Sequence, residues 1–457
     1  MTVEPQMETI GRAMLEAEWT RVGHLVALAE ATRTGGELGE AFSDAFDRVA
    51  ENVAEARRNG AWSGLAALLP EGAENQIVAA DLDLLAIALA VEARPMLAGR
   101  LHSLQPQIGG PHPSLGLLQE LLMLESEAEI AQLYDRLGPA APLVAYDLVR
   151  IAGDGAYQTV RLAPAVARAV LDRDTALAPP PGANLAPRRA GWDELILPPK
   201  ALRSLNDFTS WILFSANAPR DWSAVSGPLA LFCGPSGTGK TFAASVVAAD
   251  LEAKTGEPWA LYTLDLGRIM SKYVGETEQN LNALLDALHG RRAILQIDEA
   301  DGLLGKRGEI SDARDRYANL EVSHMLSRFE RHAGPVILTT NLRSNIDAAF
   351  LRRFQLVVDF PSPNAAARAR LWSTLLPKGA PLDPSLSIAQ LGETVRLSGG
   401  GILNAATYAA ILAVNAGHPI GPTHLARAVW AELNKDSRQV RQSEIGFLAE
   451  YLEEDEL

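Results

Sequence analysis

Residues 229–241 read LALFCGPSGTGKT. Five apolar residues run into a turn that holds Gly234, Gly237 and Gly239, then Lys240 and Thr241. An apolar run bounded by glycine predicts a buried strand, and the alanine-rich FAASVVAADL after it predicts a helix. The spacing G-x-x-x-x-G-K-T between a strand and a helix has a mechanism. Glycines let backbone N–H groups curl around phosphate oxygens, and the following helix points its N-terminus at the anion. Lys240 is placed to neutralise β- and γ-phosphates, and the Thr241 hydroxyl to ligate Mg²⁺. Gly234, Pro235, Ser236, Gly237, Thr238, Gly239, Lys240, Thr241 and Phe242 are therefore the candidate nucleotide contacts.

Working outward, four more apolar runs flank this one: ALYTLDL, AILQIDEA, VILTTN and LVVDF. They alternate with helical patterns, which predicts a parallel α/β sheet over residues 192–363. ILQIDEAD delivers Asp298 and Glu299 to a strand's C-terminal end, where such sheets bind ligands. Asp298 is expected to hold Mg²⁺, and Glu299 to orient and deprotonate an attacking water. The pair could instead cap the next helix. VILTTN ends in Asn341, an amide able to hold that water, although asparagine at a strand end is also a turn former. In NIDAAFLRRF, Arg352 and Arg353 suit neutralisation of transition-state charge on a neighbouring subunit, or surface ion pairs.

The flanks differ in composition. Residues 1–173 carry helical apolar spacing, as in GLLQELLMLESEAEI, with roughly 24 Asp and Glu against roughly 13 Arg and no Lys before Lys200. Near their end, residues 141–171 predict a helix, a turn at Gly153–Gly155, a strand and a helix, a winged-helix-like order. Residues 174–191 contain Pro179, Pro180, Pro181 and Pro187 and read as a linker. Residues 364–457 are helical again and end in the acidic EYLEEDEL.

Hydrophobic residues make up 47% of the 457 and charged residues 21%, the composition of a chain with packed cores. The net charge of −15 argues against a nucleic-acid partner, since phosphate contacts need clustered Lys and Arg. LLAIALAV at 84–91 is too short for a membrane span, and no basic patch with an apolar run marks a signal peptide. The single cysteine, Cys233, rules out an internal disulfide and fits the cytoplasm. No HExxH or CxxC spacing suggests zinc.

The order GPSGTGKT, ILQIDEAD, TTN and IDAAFLRRF resembles the AAA+ ATPases, specifically the AAA clade, across about residues 192–435. The resemblance implies an α/β core with a helical lid, ATP and Mg²⁺ as ligands, a homohexameric ring, and ATP-driven remodelling of a protein substrate. It places adenine near Leu195 and Ile196 of WDELILPP and sets the lid against the nucleotide through Gly399 and Gly400 of LSGGGI. Those glycines could also be only a turn and a helix start. It makes SKYVGETE at 271–278 a pore loop in which Lys272, Tyr273 and Val274 grip substrate, unless Tyr273 packs beneath the next helix. GKRGEISDARDR at 305–316 would be a second pore loop or a solvated one. SKYVGETEQNL, residues 305–330 and AFLRRFQLVVDFPSP look like the ATPases of phage-tail-like contractile injection systems. Two other classes stay open: an ATP-gated scaffold or adaptor whose N-terminal region binds a partner, and a DNA-linked ATPase, against which the acidic N-terminal region speaks.

Overall fold

The structure is a computed structural model, and it describes residues 4–36, 38–70, 72–171, 179–186, 190–216, 227–265, 276–289, 291–301, 323–341, 346, 348–377, 379–436 and 441–452. The chain divides into two compact units. The first is built on Met1–Ala178 and the second on Pro179–Leu288 with Arg292–Leu457.

The first unit is mostly helical. Its long helix, Glu4–Thr34, buries Leu15, Trp19, Val22, Val26 and Ala29, a three-and-four spacing that keeps one face on the core. The helix Ala79–Ala93 is buried on nearly every side from Leu84 to Ala90. A helix apolar all round is a central core helix, which accounts for the LLAIALAV run. Near the end of the unit, the short helix Pro142–Ala145 leads into strand β1, Val149–Ala152. β1 pairs antiparallel with β2, Thr159–Leu162, and the helix Pro164–Leu171 follows. The sequence predicts only one strand here; the structure has a hairpin, because VRIA before the Gly153–Gly155 turn pairs register for register with TVRL after it.

The second unit holds a six-stranded mixed sheet in the order β3-β5-β6-β7-β4-β8. Its parallel strands are β4 (Leu229–Cys233), β5 (Ala260–Asp265), β6 (Ala293–Asp298), β7 (Val336–Thr340) and β8 (Leu356–Asp359). These are the five apolar runs of the sequence. The sixth, β3 (Ala183–Leu185), runs antiparallel along the edge of β5. It lies inside the expected linker and makes the sheet mixed rather than purely parallel. Its three residues supply backbone hydrogen bonds to an edge that would otherwise stay open.

Alternation along the strands divides the core. Ala230, Phe232, Ile294 and Ile337 pack with the helices Pro199–Ala216 and Lys240–Thr255. Leu229, Leu231, Leu295, Ile297 and Leu338 pack with the helix Glu276–Leu288 and helical residues 323–331. Both faces are thus covered by helices, as a mainly parallel sheet requires. Beyond β8, the helices Ala365–Leu375, Ile388–Thr394, Gly399–Ala416 and Pro422–Leu433 close on a separate core around Trp372, Ile402, Ala406 and Val429. No helix among the described residues is long and apolar enough to cross a membrane.

Candidate functional site

β4, β7 and β6 lie side by side, so the loops leaving their C-terminal ends converge. The first leaves β4. A Cβ on Gly234 would stand 2.1 Å from the Phe360 carbonyl oxygen, so only glycine fits this close approach to β8. Gly237 and Gly239 take left-handed φ angles of 75° and 94°, which turn the chain sharply into the helix Lys240–Thr255. No side chain caps that helix, so its first-turn N–H groups stay available to an anion.

Lys240 starts the helix and is 9% exposed. Its Nζ donates to the carbonyls of Gly234 (2.6 Å) and Pro235 (3.0 Å) and to Oδ1 of Asn341 (2.9 Å). The ammonium is fully hydrogen-bonded, yet none of these acceptors carries a charge. Burial lowers its pKa, and the nearby charges of Asp301 and Asp298 oppose that shift.

The acidic side comes from β6. Asp298 Oδ1 accepts from the Gln296 amide at 2.6 Å and from the Thr339 hydroxyl at 3.1 Å. Glu299 sits at φ 54°, uncommon for a residue with a Cβ. Two hydrogen bonds hold this turn: the Glu299 N–H donates to Thr339 Oγ1 (3.2 Å) and the Ala300 N–H to the Thr339 carbonyl (2.8 Å). The result turns the Glu299 side chain outward, where it is exposed and lines the cavity. Asp301 braces the third loop. Its carboxylate accepts from the Thr340 hydroxyl (2.5 Å) and the Asn341 N–H (3.2 Å), fixing the backbone of the residue that touches Lys240.

These loops open on a cavity of about 1110 Å³. Of the predicted contacts, Leu195, Ile196, Ser236, Gly237, Thr238, Gly239, Lys240, Thr241, Phe242, Asp298, Glu299, Asn341, Gly399 and Gly400 line it. Gly234 and Pro235 do not; they support Lys240 from behind through their carbonyls. Gly399 and Gly400 begin the helix Gly399–Ala416, capped by Ser398. The Gly400 N–H donates to the Gly237 carbonyl at 2.9 Å. A Cβ on Gly400 would lie 3.1 Å from Gly237 Cα, and one on Gly399 would lie 3.2 Å from its oxygen. Small residues here bring the start of the helix Gly399–Ala416 onto the loop 234–241 itself.

Arg352 and Arg353 do not line this cavity. Arg353 pairs with Glu330 at 3.0 Å, whereas Arg352 is exposed with no hydrogen bond or ion pair among the described residues. Lys272, Tyr273, Val274 and the stretch 305–316 lie outside the described residues.

Sequence reasoning missed Gln296, Asp301, Thr339 and Ser398. A signal existed for two of them: a lone amide inside the apolar ILQI run, and a serine directly before three glycines.

The donor set suits Mg²⁺: a hydroxyl and a carboxylate, both hard oxygens, beside room for phosphate and water. Zinc would call for nitrogen or sulfur ligands.

Residues 230–362 match the family model described as the ATPase family associated with various cellular activities (AAA). The chain is 36% identical over 169 residues to an uncharacterized AAA family ATPase, y4kL, of Sinorhizobium fredii, covering 35% of this chain and 47% of that one. It is 32% identical over 145 residues to vacuolar protein sorting-associated protein 4A of Rattus norvegicus, covering 31% and 32%. It is 33% identical over 172 residues to spastin of Drosophila virilis, covering 36% and 21%. The chain spans less than half the length of each of these relatives. Residues 230–362 are thus similar to the ATPase domain of the AAA family.

Proposed function

We propose that this protein is a Mg²⁺-dependent, ATP-hydrolysing ring motor that remodels or threads a protein substrate. The observation that carries the reading is Lys240. It is a buried ammonium hydrogen-bonded only to neutral oxygens, in a cavity that Gly237, Gly239 and Glu299 also line. Phosphate is the ligand that supplies the missing charge.

ATP binds with its phosphates in the loop 234–241 and its base toward Leu195, Ile196 and the lid glycines. Thr241 and Asp298 hold Mg²⁺, which supplies charge neutralisation on the phosphate oxygens. Glu299 takes a proton from a water aligned on the γ-phosphate, and Asn341 fixes that water. When phosphate arrives, Lys240 exchanges backbone carbonyls for phosphate oxygens and leaves the Asn341 amide free to turn.

Arg352 is the finger that completes a neighbouring subunit's site, because it is exposed while Arg353 is engaged with Glu330. Each site is then shared between copies of this chain in a homohexamer. Lys272, Tyr273 and Val274 meet a protein substrate in the central channel. The likeness of 271–281, 305–330 and 349–363 to ATPases of contractile injection systems supports a component, cargo or assembly intermediate of such a particle as that substrate. The cytoplasm is where such work takes place.

Mass and single-particle imaging of the Glu299→Gln protein test the ring. An ATP-dependent six-membered ring is expected. A nucleotide-bound monomer at all concentrations would remove the trans role of Arg352. Tyr273→Ala then separates motor from scaffold: a motor loses remodelling and keeps ATP turnover, whereas a scaffold loses neither.

A further inference from the structure

Strand β6 contains one polar side chain among its buried residues. From Ala293 to Ile297 every position is buried, and Gln296 is 0% exposed. An amide in such a place costs about 1–3 kcal/mol unless it is hydrogen-bonded. Methionine or leucine would fill the same volume without that cost, so packing alone does not account for it.

Its position explains what it does. Side chains alternate along a strand, so Gln296 shares a face with Ile294 and Asp298. That is the face on which the helix Lys240–Thr255 packs. Gln296 therefore lies between Asp298 on its own strand and Thr241 in the helix's first turn. Nε2 reaches both, at 2.6 Å from Asp298 Oδ1 and 3.0 Å from Thr241 Oγ1. The amide orientation follows from chemistry, because an ionised carboxylate can only accept and so must face the NH₂ group. Among the described residues, Oε1 has no hydrogen-bond partner.

From this we infer that Gln296 is a positioning residue for the metal-binding pair. Its two N–H bonds set the separation of Thr241 and Asp298 and orient both. Asp298 Oδ1 is held by two neutral donors, Gln296 and Thr339. Oδ2 is left for a cation. Thr241 keeps a lone pair for the same purpose. Lysine or arginine at position 296 would fix the same geometry and neutralise Asp298; a neutral amide fixes it and leaves the charge for Mg²⁺. Groups that orient metal ligands from behind typically govern affinity by about 10- to 100-fold.

The inference rests on the Mg²⁺–nucleotide reading of the cavity, and the test separates the two. Binding of a fluorescent, non-hydrolysable ATP analogue is measured on the full chain, first in EDTA and then across a Mg²⁺ titration. If the wild-type chain binds no analogue, the nucleotide reading fails, and this inference with it. If it binds and Mg²⁺ tightens binding, Gln296→Met is compared. The half-effective Mg²⁺ concentration should rise about tenfold, while affinity in EDTA stays within about twofold. An unchanged Mg²⁺ dependence in the folded variant would overturn the inference, as would an equal loss of affinity in EDTA. Should Gln296→Met lack a cooperative melt, Thr339→Val decides. It removes the other hydrogen bond on the same carboxylate oxygen, and with it the acceptor of the Glu299 N–H, at nearly constant volume. A rise of about threefold supports the inference, and no rise overturns it.

Discussion

Two clusters of buried charge, one in each unit, are built on opposite plans. In the first unit Glu18 is fully buried, and its carboxylate is closed by Arg57 through two bonds, at 2.6 and 3.0 Å, and by the Trp62 indole at 2.9 Å. Arg57 also donates to Asp83 at 2.7 Å, and Arg21 pairs with Asp83 in turn. Burial works against the Arg57 charge, but the hydrogen bond to Glu18 and the neighbouring carboxylates outweigh it and raise its pKa. Every charge there meets its opposite. Around Lys240 no charge is hydrogen-bonded to its opposite: the ammonium rests on carbonyls and an amide, Asp298 rests on an amide and a hydroxyl, and Glu299 faces out. A closed cluster ties helices together. An open one is hydrogen-bonded enough to fold and still has charge to offer a ligand.

The contrast breaks most readily at Glu18. Glu18→Ala leaves Arg57 with Asp83 as its one remaining carboxylate partner and should cost about 3 kcal/mol, read as a lowered denaturant midpoint for the first unit. A loss under about 1 kcal/mol would mean that the cluster is not closed in the sense described. Lys240→Ala should do the reverse. Nucleotide affinity falls on the order of 100-fold as charge-assisted phosphate bonds are lost. Thermal stability without nucleotide falls less than it does for Glu18→Ala, because Lys240 is hydrogen-bonded only to neutral acceptors and loses only its through-space attraction to Asp301 and Asp298. A strongly lowered melting temperature would show that Lys240 is structural after all. Ser398→Ala removes the cap of the helix Gly399–Ala416 and should cost about 1 kcal/mol. That loss should be larger with nucleotide bound if the lid's grip on Gly237 matters to binding. At the small end, Asp250→Ala breaks the helical pair with the exposed Lys254 and should shift stability by a few tenths of a kcal/mol.

The open cluster was far more legible in the sequence than the closed one. Phosphate chemistry demands fixed residues at fixed local spacing, so GPSGTGKT and IDEAD announce themselves within a few positions. Five strands were equally plain because strands covered on both faces are continuously apolar. The closed cluster joins Glu18, Arg57, Trp62 and Asp83 from distant positions, and no local pattern records such a meeting. β3 was illegible for a related reason. ANL beside a proline run has no apolar signature, and only the open edge of β5 makes it a strand. β1 was hidden because VRIA continues the apolar spacing of the residues before it. Within the site, Gln296 and Asp301 act through partners on other elements, so identity alone did not reveal their parts. The pairing of Arg353 with Glu330 is of the same kind.

The most direct test of the account compares nucleotide binding and turnover on one protein, Glu299→Gln. Glu299 makes no contact that holds Lys240 or Thr241 in place, and its side chain points into the cavity. The variant should therefore bind ATP within about twofold of the wild-type chain and hydrolyse it on the order of 1000-fold more slowly, the scale of a lost general base. Turnover at the wild-type rate would contradict the account, since the charge left open at this site would then serve some purpose other than catalysis.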